Sequence, residues 1–119
     1  MPHLFPSREL YDILSFQRIV QRPMKIVGRD KLTAFCLCHP DGRKQIACWL
    51  AEAGKVAWKT PQDIKDRYAS VSFLSQNRVI FNVKGNDYRL ETTIAYKTGV
   101  VIVDWIGTHA DYDARNQRR

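Results

Sequence analysis

Along the C-terminal half of the chain, apolar residues recur at every second position. Val79, Phe81 and Val83 alternate with Arg78, Ile80, Asn82 and Lys84, which is the period of a strand with one buried face. Gly85-Asn86 then suits a two-residue hairpin loop, because glycine takes positive φ freely and asparagine tolerates it. Such a loop sets Lys84 against Asp87, Val83 against Tyr88, Asn82 against Arg89 and Phe81 against Leu90, so that apolar meets apolar and polar meets polar. A second two-residue turn at Thr98-Gly99 would set Tyr96 against Val101, Ile94 against Val103 and Arg89 against Thr108. One sheet face then carries Val79, Phe81, Val83, Tyr88, Leu90, Ile94, Tyr96, Val101, Val103 and Trp105, and predicts a core. The other face carries Asn82, Lys84, Arg89 and Lys97 and ends beside Thr108-His109. A cationic, amide-bearing surface next to a histidine is a place to look for phosphate chemistry.

Upstream of the sheet the period changes to that of helices. A short strand over residues 24–27 and Gly28 lead into a helical stretch over about residues 29–37, broken by His39-Pro40-Asp41-Gly42. Ile46, Trp49, Leu50 and Ala53 then recur at three and four, predicting an amphipathic helix to about Lys55. Thr60, Pro61 and Asp63 form a helix-start signal, with the helix running to Arg67 or Tyr68. A strand-like run over residues 70–74 follows. After Gly107, Thr108 is a good N-cap with Asp111 three residues on, so a short helix begins in which His109 shares a face with Tyr112 and Asp113. Helices first and a hairpin-built sheet second predict an α+β domain.

Residues 1–23 stand apart. Leu10, Ile13 and Leu14 repeat at helical spacing behind Ser7, so this is either a short amphipathic helix or an extension ahead of a natural start at Met24. The tail over residues 114–119 is polar and basic and is expected to fray. The length fits one domain, over residues 24–113. No apolar run approaches the roughly 20 residues needed to cross a bilayer. A formal charge of +7 favours a polyanionic partner, nucleic acid or an acidic protein, and an anionic membrane less, because no clear basic amphipathic helix accompanies it; no membrane partner is expected. Cys36, Cys38 and Cys48 are odd in number with no signal peptide ahead of them, and they read as reduced thiols of a cytosolic protein. Cys36, Cys38, His39 and Cys48 lack the usual spacing of a zinc site.

The run Trp49, Glu52-Ala53, Trp58-Lys59-Thr60-Pro61, Asp63-Ile64, Tyr68, Ser72-Phe73-Leu74, Asn77-Arg78-Val79, Phe81-Asn82, Lys84-Gly85-Asn86, Tyr88-Arg89-Leu90 and Gly107-Thr108-His109-Ala110-Asp111-Tyr112-Asp113 closely resembles the HigB family of bacterial toxin-antitoxin toxins. The combination FNVKGNDYRL followed by GTHADYD carries the specificity. The resemblance implies a RelE-like fold, with two or three N-terminal helices on one face of a small, mainly antiparallel sheet. It also implies an endonuclease that cuts messenger RNA, generally on the translating ribosome, and an antitoxin with a helix-turn-helix domain. The three cysteines lie outside the family pattern.

Metal-free RNA cleavage needs a base for the 2′-hydroxyl, an acid for the departing 5′-oxygen and positive charge around the phosphorane. His109 can serve as base or acid near neutral pH. Arg89 can grip two phosphate oxygens and Lys84 can add a point charge. Tyr112 has three uses open to it: orienting the nucleotide, stacking on a base or passing a proton. Each also has a structural use: His109 as a surface or capping residue, Tyr112 with its ring packed under the sheet edge, Lys84 as a partner of Asp87 across the turn and Arg89 as a partner of Asp87 or Glu91. Arg78, Asn82, Lys97 and Lys59 are expected to bind RNA, and Asp104 is either structural or a site carboxylate. No metal ligand set or cofactor is expected. The alternative is a non-catalytic module that blocks a protein such as gyrase, as the related ParE toxins do, or merely binds nucleic acid.

Overall fold

The computed structural model describes residues 24–117. Five strands, β1 (Lys25–Val27), β2 (Ser72–Phe73), β3 (Arg78–Val83), β4 (Tyr88–Ala95) and β5 (Val100–Thr108), lie in the order β1-β5-β4-β3-β2. The β1–β5 pair is parallel and the other neighbours are antiparallel. Helices α1 (Arg29–Cys38), α2 (Arg43–Lys55) and α3 (Pro61–Arg67) precede most of the sheet, and α4 (His109–Gln117) follows it. A single 3-10 turn, Pro40–Gly42, joins α1 to α2 where the Pro-Asp-Gly break stands in the sequence. The α+β architecture is the one the resemblance implies.

The apolar stripes of α1 to α3 bury Leu32, Phe35, Ile46, Trp49, Ala53 and Ile64 in one cluster with Val79, Phe81, Leu90, Ile94, Val101 and Val103 from the sheet. Phe81 is its centre, with the rings of Trp49, Trp58 and Tyr68 at 5.4, 5.8 and 5.2 Å between centroids. The start of α3 is a complete capping box. Thr60 Oγ1 accepts from the Asp63 N–H, and Asp63 Oδ2 accepts from the Thr60 N–H. Gly28 lies at φ +93 with its Cα against the Val103 carbonyl, leaving no room for a side chain where the chain turns from β1 into α1.

The β3–β4 pairing follows the sequence pattern: Asn82 opposes Arg89, Val83 opposes Tyr88 and Phe81 opposes Leu90. The turn itself differs from expectation. Positive φ falls on Lys84 and Gly85, not on Gly85 and Asn86, and the left-handed backbone at Lys84 takes it out of the β3 pleat.

The β4–β5 pairing departs further. Its loop is four residues, 96–99, closed by the Gly99 N–H donating to the Ala95 carbonyl at 2.9 Å, with Gly99 at φ +72. Ala95 therefore opposes Val100 and Ile94 opposes Val101, and Tyr96 belongs to the loop. The register then shifts at Glu91/Thr92, after which Glu91 opposes Trp105 and Arg89 opposes Gly107, where Thr108 was expected. An odd extra residue in β5 reverses the alternation beyond it. Val103 remains in the core, Trp105 moves to the opposite face, and Thr92 takes a fully buried core position with its hydroxyl donating to the Val79 carbonyl.

The helix after Gly107 is longer than its opening motif. Residues 114–117, read in the sequence as tail, continue α4 to Gln117. Residues 1–23, with the leader expectations attached to them, lie outside the described residues.

Candidate functional site

The face of the sheet opposite α1–α3 carries Arg78, Ile80 and Asn82 on β3, Arg89, Glu91 and Thr93 on β4, and Trp105 and Gly107 on β5. Thr108 ends β5 and caps α4, its Oγ1 accepting from the Asp111 N–H at 3.1 Å. The His109 N–H donates to the Asp87 carbonyl at 3.0 Å, so the first residue of α4 is tied to the β3–β4 turn. With Arg89 opposing Gly107, this places Arg89 and His109 at one corner of the sheet, a strand residue and a helix start two positions beyond its pairing partner.

Within α4, His109 Nε2 lies 3.6 Å from Asp113 Oδ2, on the face expected from the four-residue spacing, and both side chains are half exposed. Tyr112 packs against Trp105, 6.1 Å between ring centroids. The Arg89 guanidinium curls over the turn, donating to the Asn86 carbonyl at 3.1 Å and the Tyr88 carbonyl at 3.5 Å. These neutral partners leave its charge without a carboxylate in those two bonds.

Lys84 stands elsewhere than expected. Its ammonium is 2.6 Å from Asp41 Oδ2 and 3.8 Å from Asp87, and the Tyr88 hydroxyl donates to the other Asp41 oxygen at 2.6 Å. Asp41 belongs to the 3-10 turn on the helical side, so Lys84 fastens that turn to the hairpin. The Lys84 ammonium and then the Tyr88 hydroxyl hold the Asp41 carboxyl down at about 2, and the same carboxylate pushes the Lys84 and Tyr88 values up.

The four residues expected to bind RNA are dispersed. Asn82 donates from its amide to the Ser70 carbonyl at 3.0 Å. Arg78 sits at the far end of β3 and reaches Glu91 at 3.5 Å. Lys97 lies in the 96–99 loop, at the opposite end of β4 from Arg89. Lys59 is exposed at the start of α3, its backbone N–H donating to Asp63. Asp104 has structural partners: one carboxylate oxygen accepts from the Thr93 hydroxyl at 2.6 Å and its carbonyl accepts from Lys31.

Sequence reasoning missed a cluster on this face. Glu91 is almost wholly buried, with its carboxylate 2.5 Å from Arg115 of α4 and 3.5 Å from Arg78. The Arg115 guanidinium also lies 4.9 Å from the centre of the Trp105 ring. That ring covers Gly107 so closely that no Cβ fits there. The alternation of Arg89, Glu91 and Thr93 was the available signal for a polar ladder; Arg115 gave none, because it was assigned to the tail.

Two concavities adjoin these groups. A groove of about 660 Å³ between α1, the outer edge of β5 and α4 is lined by Lys31, His39, Trp105, Gly107, Asp111 and Arg115, among others. Arg89 and His109 do not line it. A smaller one, about 310 Å³, lies between α2 and β3 and includes Lys44, Tyr68, Asn82 and Lys84. Cys36, Cys38 and Cys48 are free thiols. Among the described residues no group of three or more His, Cys, Asp or Glu is placed to hold a metal ion, and no helix is long and apolar enough to cross a membrane.

No curated protein matches the sequence. Residues 42–115, the greater part of the chain and the whole of the sheet except β1, match the family model HigB_toxin, described as the RelE-like toxic component of a toxin-antitoxin system. The chain belongs to the HigB family of RelE-like toxins, a family whose members act opposite an antitoxin.

Proposed function

We propose that the protein is a metal-independent endonuclease that cuts messenger RNA, on translating ribosomes, and is held inactive by an antitoxin carrying a helix-turn-helix domain. The observation that carries this reading is the corner at which Arg89 of β4 and His109 of α4 meet the β3–β4 turn. There the 2′-hydroxyl of one nucleotide attacks the adjacent phosphorus and the bond to the 5′-oxygen breaks, giving a 2′,3′-cyclic phosphate and a 5′-hydroxyl. His109 moves a proton to or from the reacting oxygens, with the Asp113 carboxylate 3.6 Å from its Nε2 on the same helical face. Arg89 turns from the two carbonyls of its own turn to the charged phosphorane, a stronger acceptor. Tyr112, on the same helical turn, orients the nucleotide, stacks on a base or passes a proton. Lys84, already paired with Asp41, adds field at the site and no direct bond to the reacting phosphate. The excess of positive charge over the chain attracts the polyanion, to which Arg78, Lys97 and Lys59 add charge and Asn82 an amide from separate parts of the surface.

The test is primer extension on cellular messenger RNA after induction of the toxin without its antitoxin. Codon-phased cuts with cyclic phosphate ends, formed equally in chelator and absent from Arg89→Ala and His109→Ala, are expected. Intact transcripts, or cuts that persist at full rate in the folded double variant, would remove the site.

A further inference from the structure

Helix α4 carries His109 and Tyr112, yet none of its residues is buried. A nine-residue helix is marginal by itself in water, so something outside its own backbone must hold it to the sheet. Its first residue is tied by the His109 N–H to the Asp87 carbonyl, and beyond that backbone bond the side-chain holding contacts come from Tyr112 and Arg115. Arg115 reaches across to Glu91 at 2.5 Å and lies on the Trp105 ring at 4.9 Å, while Tyr112 rests on the same ring. Glu91 is 2 % exposed, and Arg78 flanks it on the other side. A carboxylate so buried, with a guanidinium from a neighbouring strand and one from a helix, fixes the direction of that helix as an apolar contact would not, because charge-assisted bonds are directional. Trp105 takes part only because the β5 bulge turns it to this face.

We infer that Glu91, Arg115 and Trp105 form a clamp that positions α4, and through it holds His109 in register with Arg89. The inference rests on the ribonuclease reading for its catalytic half. None of the three residues touches substrate; they are positioning residues. Arg115 grips the last turn of a rigid element whose first turn bears the imidazole. Loss of the grip lets α4 fray and pivot about its cap at Thr108, and the site loses geometry before it loses charge.

Arg115→Ala is the informative variant. Arg78 still neutralises Glu91 in it, and the apolar core lies on the other face, so the protein stays folded. Amide hydrogen exchange along α4 is expected to speed up about tenfold or more while β3 and β4 keep their protection. In cleavage of an oligoribonucleotide, or of ribosome-bound message, kcat should fall about tenfold to a hundredfold with KM changed less than about threefold. Arg115→Lys, which keeps charge but lacks the planar fork and the stacking surface, should fall between. Trp105→Leu gives a second route to the same exchange signature. Unchanged α4 exchange in Arg115→Ala, with normal wild-type cleavage, would overturn the clamp and leave the ribonuclease reading standing. Faster exchange with unaltered kcat would overturn the positioning role. A wild-type protein that cuts no RNA would overturn the ribonuclease reading and the catalytic half together, while faster exchange in the variant would still support the clamp on α4.

Discussion

On the helical side of the sheet, Leu90, Ile94, Val101 and Val103 are completely buried beneath α1, α2 and α3, each of which contributes at least one buried side chain. On the opposite side the same strands present Arg89, Glu91, Thr93 and Trp105, and α4, which lies there, buries nothing of its own. Both sides carry a carboxylate that joins two distant partners. Asp41 binds Lys84 and Tyr88 at a half-exposed position, and Glu91 binds Arg78 and Arg115 out of solvent. The lesson is a division of labour. The core side is held by non-directional apolar burial, to which its ion pair adds little. The other side has little burial to draw on, so a buried polar cluster sets the geometry of α4 and the groups it carries.

Two adjacent residues of β4 test that division most sharply. Leu90→Ala should cost about 2–5 kcal/mol, as for other large-to-small core changes, measured by urea or thermal unfolding. Arg89→Ala, one position along and on the other face, should change stability by less than about 1 kcal/mol and yet abolish growth arrest. Equal destabilisation by the two would mean that the faces are not separate in function.

A smaller effect separates the two capped helices. Thr60→Ala removes half of the α3 capping box, and Thr108→Ala removes the cap of α4; each should cost about 1 kcal/mol locally. Because α3 is anchored in the core by Ile64, its loss should appear in global unfolding. The loss at α4 should appear as faster exchange of that helix and slower cleavage, with the global midpoint nearly unmoved. A large drop in that midpoint for Thr108→Ala would show α4 to be part of the cooperative core.

The smallest effect concerns Asp41. Its folded-state value is depressed to about 2 from 3.8, so its contribution is present above the ordinary value and is lost as pH falls toward 2. Lys84 is shifted upward, so its contribution is present below 10.5 and is lost as pH rises through its higher folded value. Asp41→Asn should therefore be slightly less stable than the wild type at neutral pH. The difference should close between pH 3.8 and 2, as read from thermal midpoints across that range. A gap that stays constant to the lowest pH would assign the effect to packing and not to charge.

The amino-acid sequence by itself determined the β3–β4 register, the start of α3, the break between α1 and α2 and the cap at Thr108. Each of these is settled within a few residues, by alternation, by a capping pair or by Pro and Gly. It also brought Arg89 and His109 to neighbouring positions, with an error of one residue. Only the tertiary structure decided that an extra residue in β5 turns Trp105 outward and that Lys84 belongs to Asp41, 43 positions away. The same holds for Arg115, which pairs with Glu91 24 positions upstream and so makes a helix of what reads as a tail. A bulge leaves local propensity unchanged, and an ion pair between remote positions leaves no periodic trace. Both are chosen by the packing of already formed elements, where a one-residue slip or one buried charge outweighs any local preference.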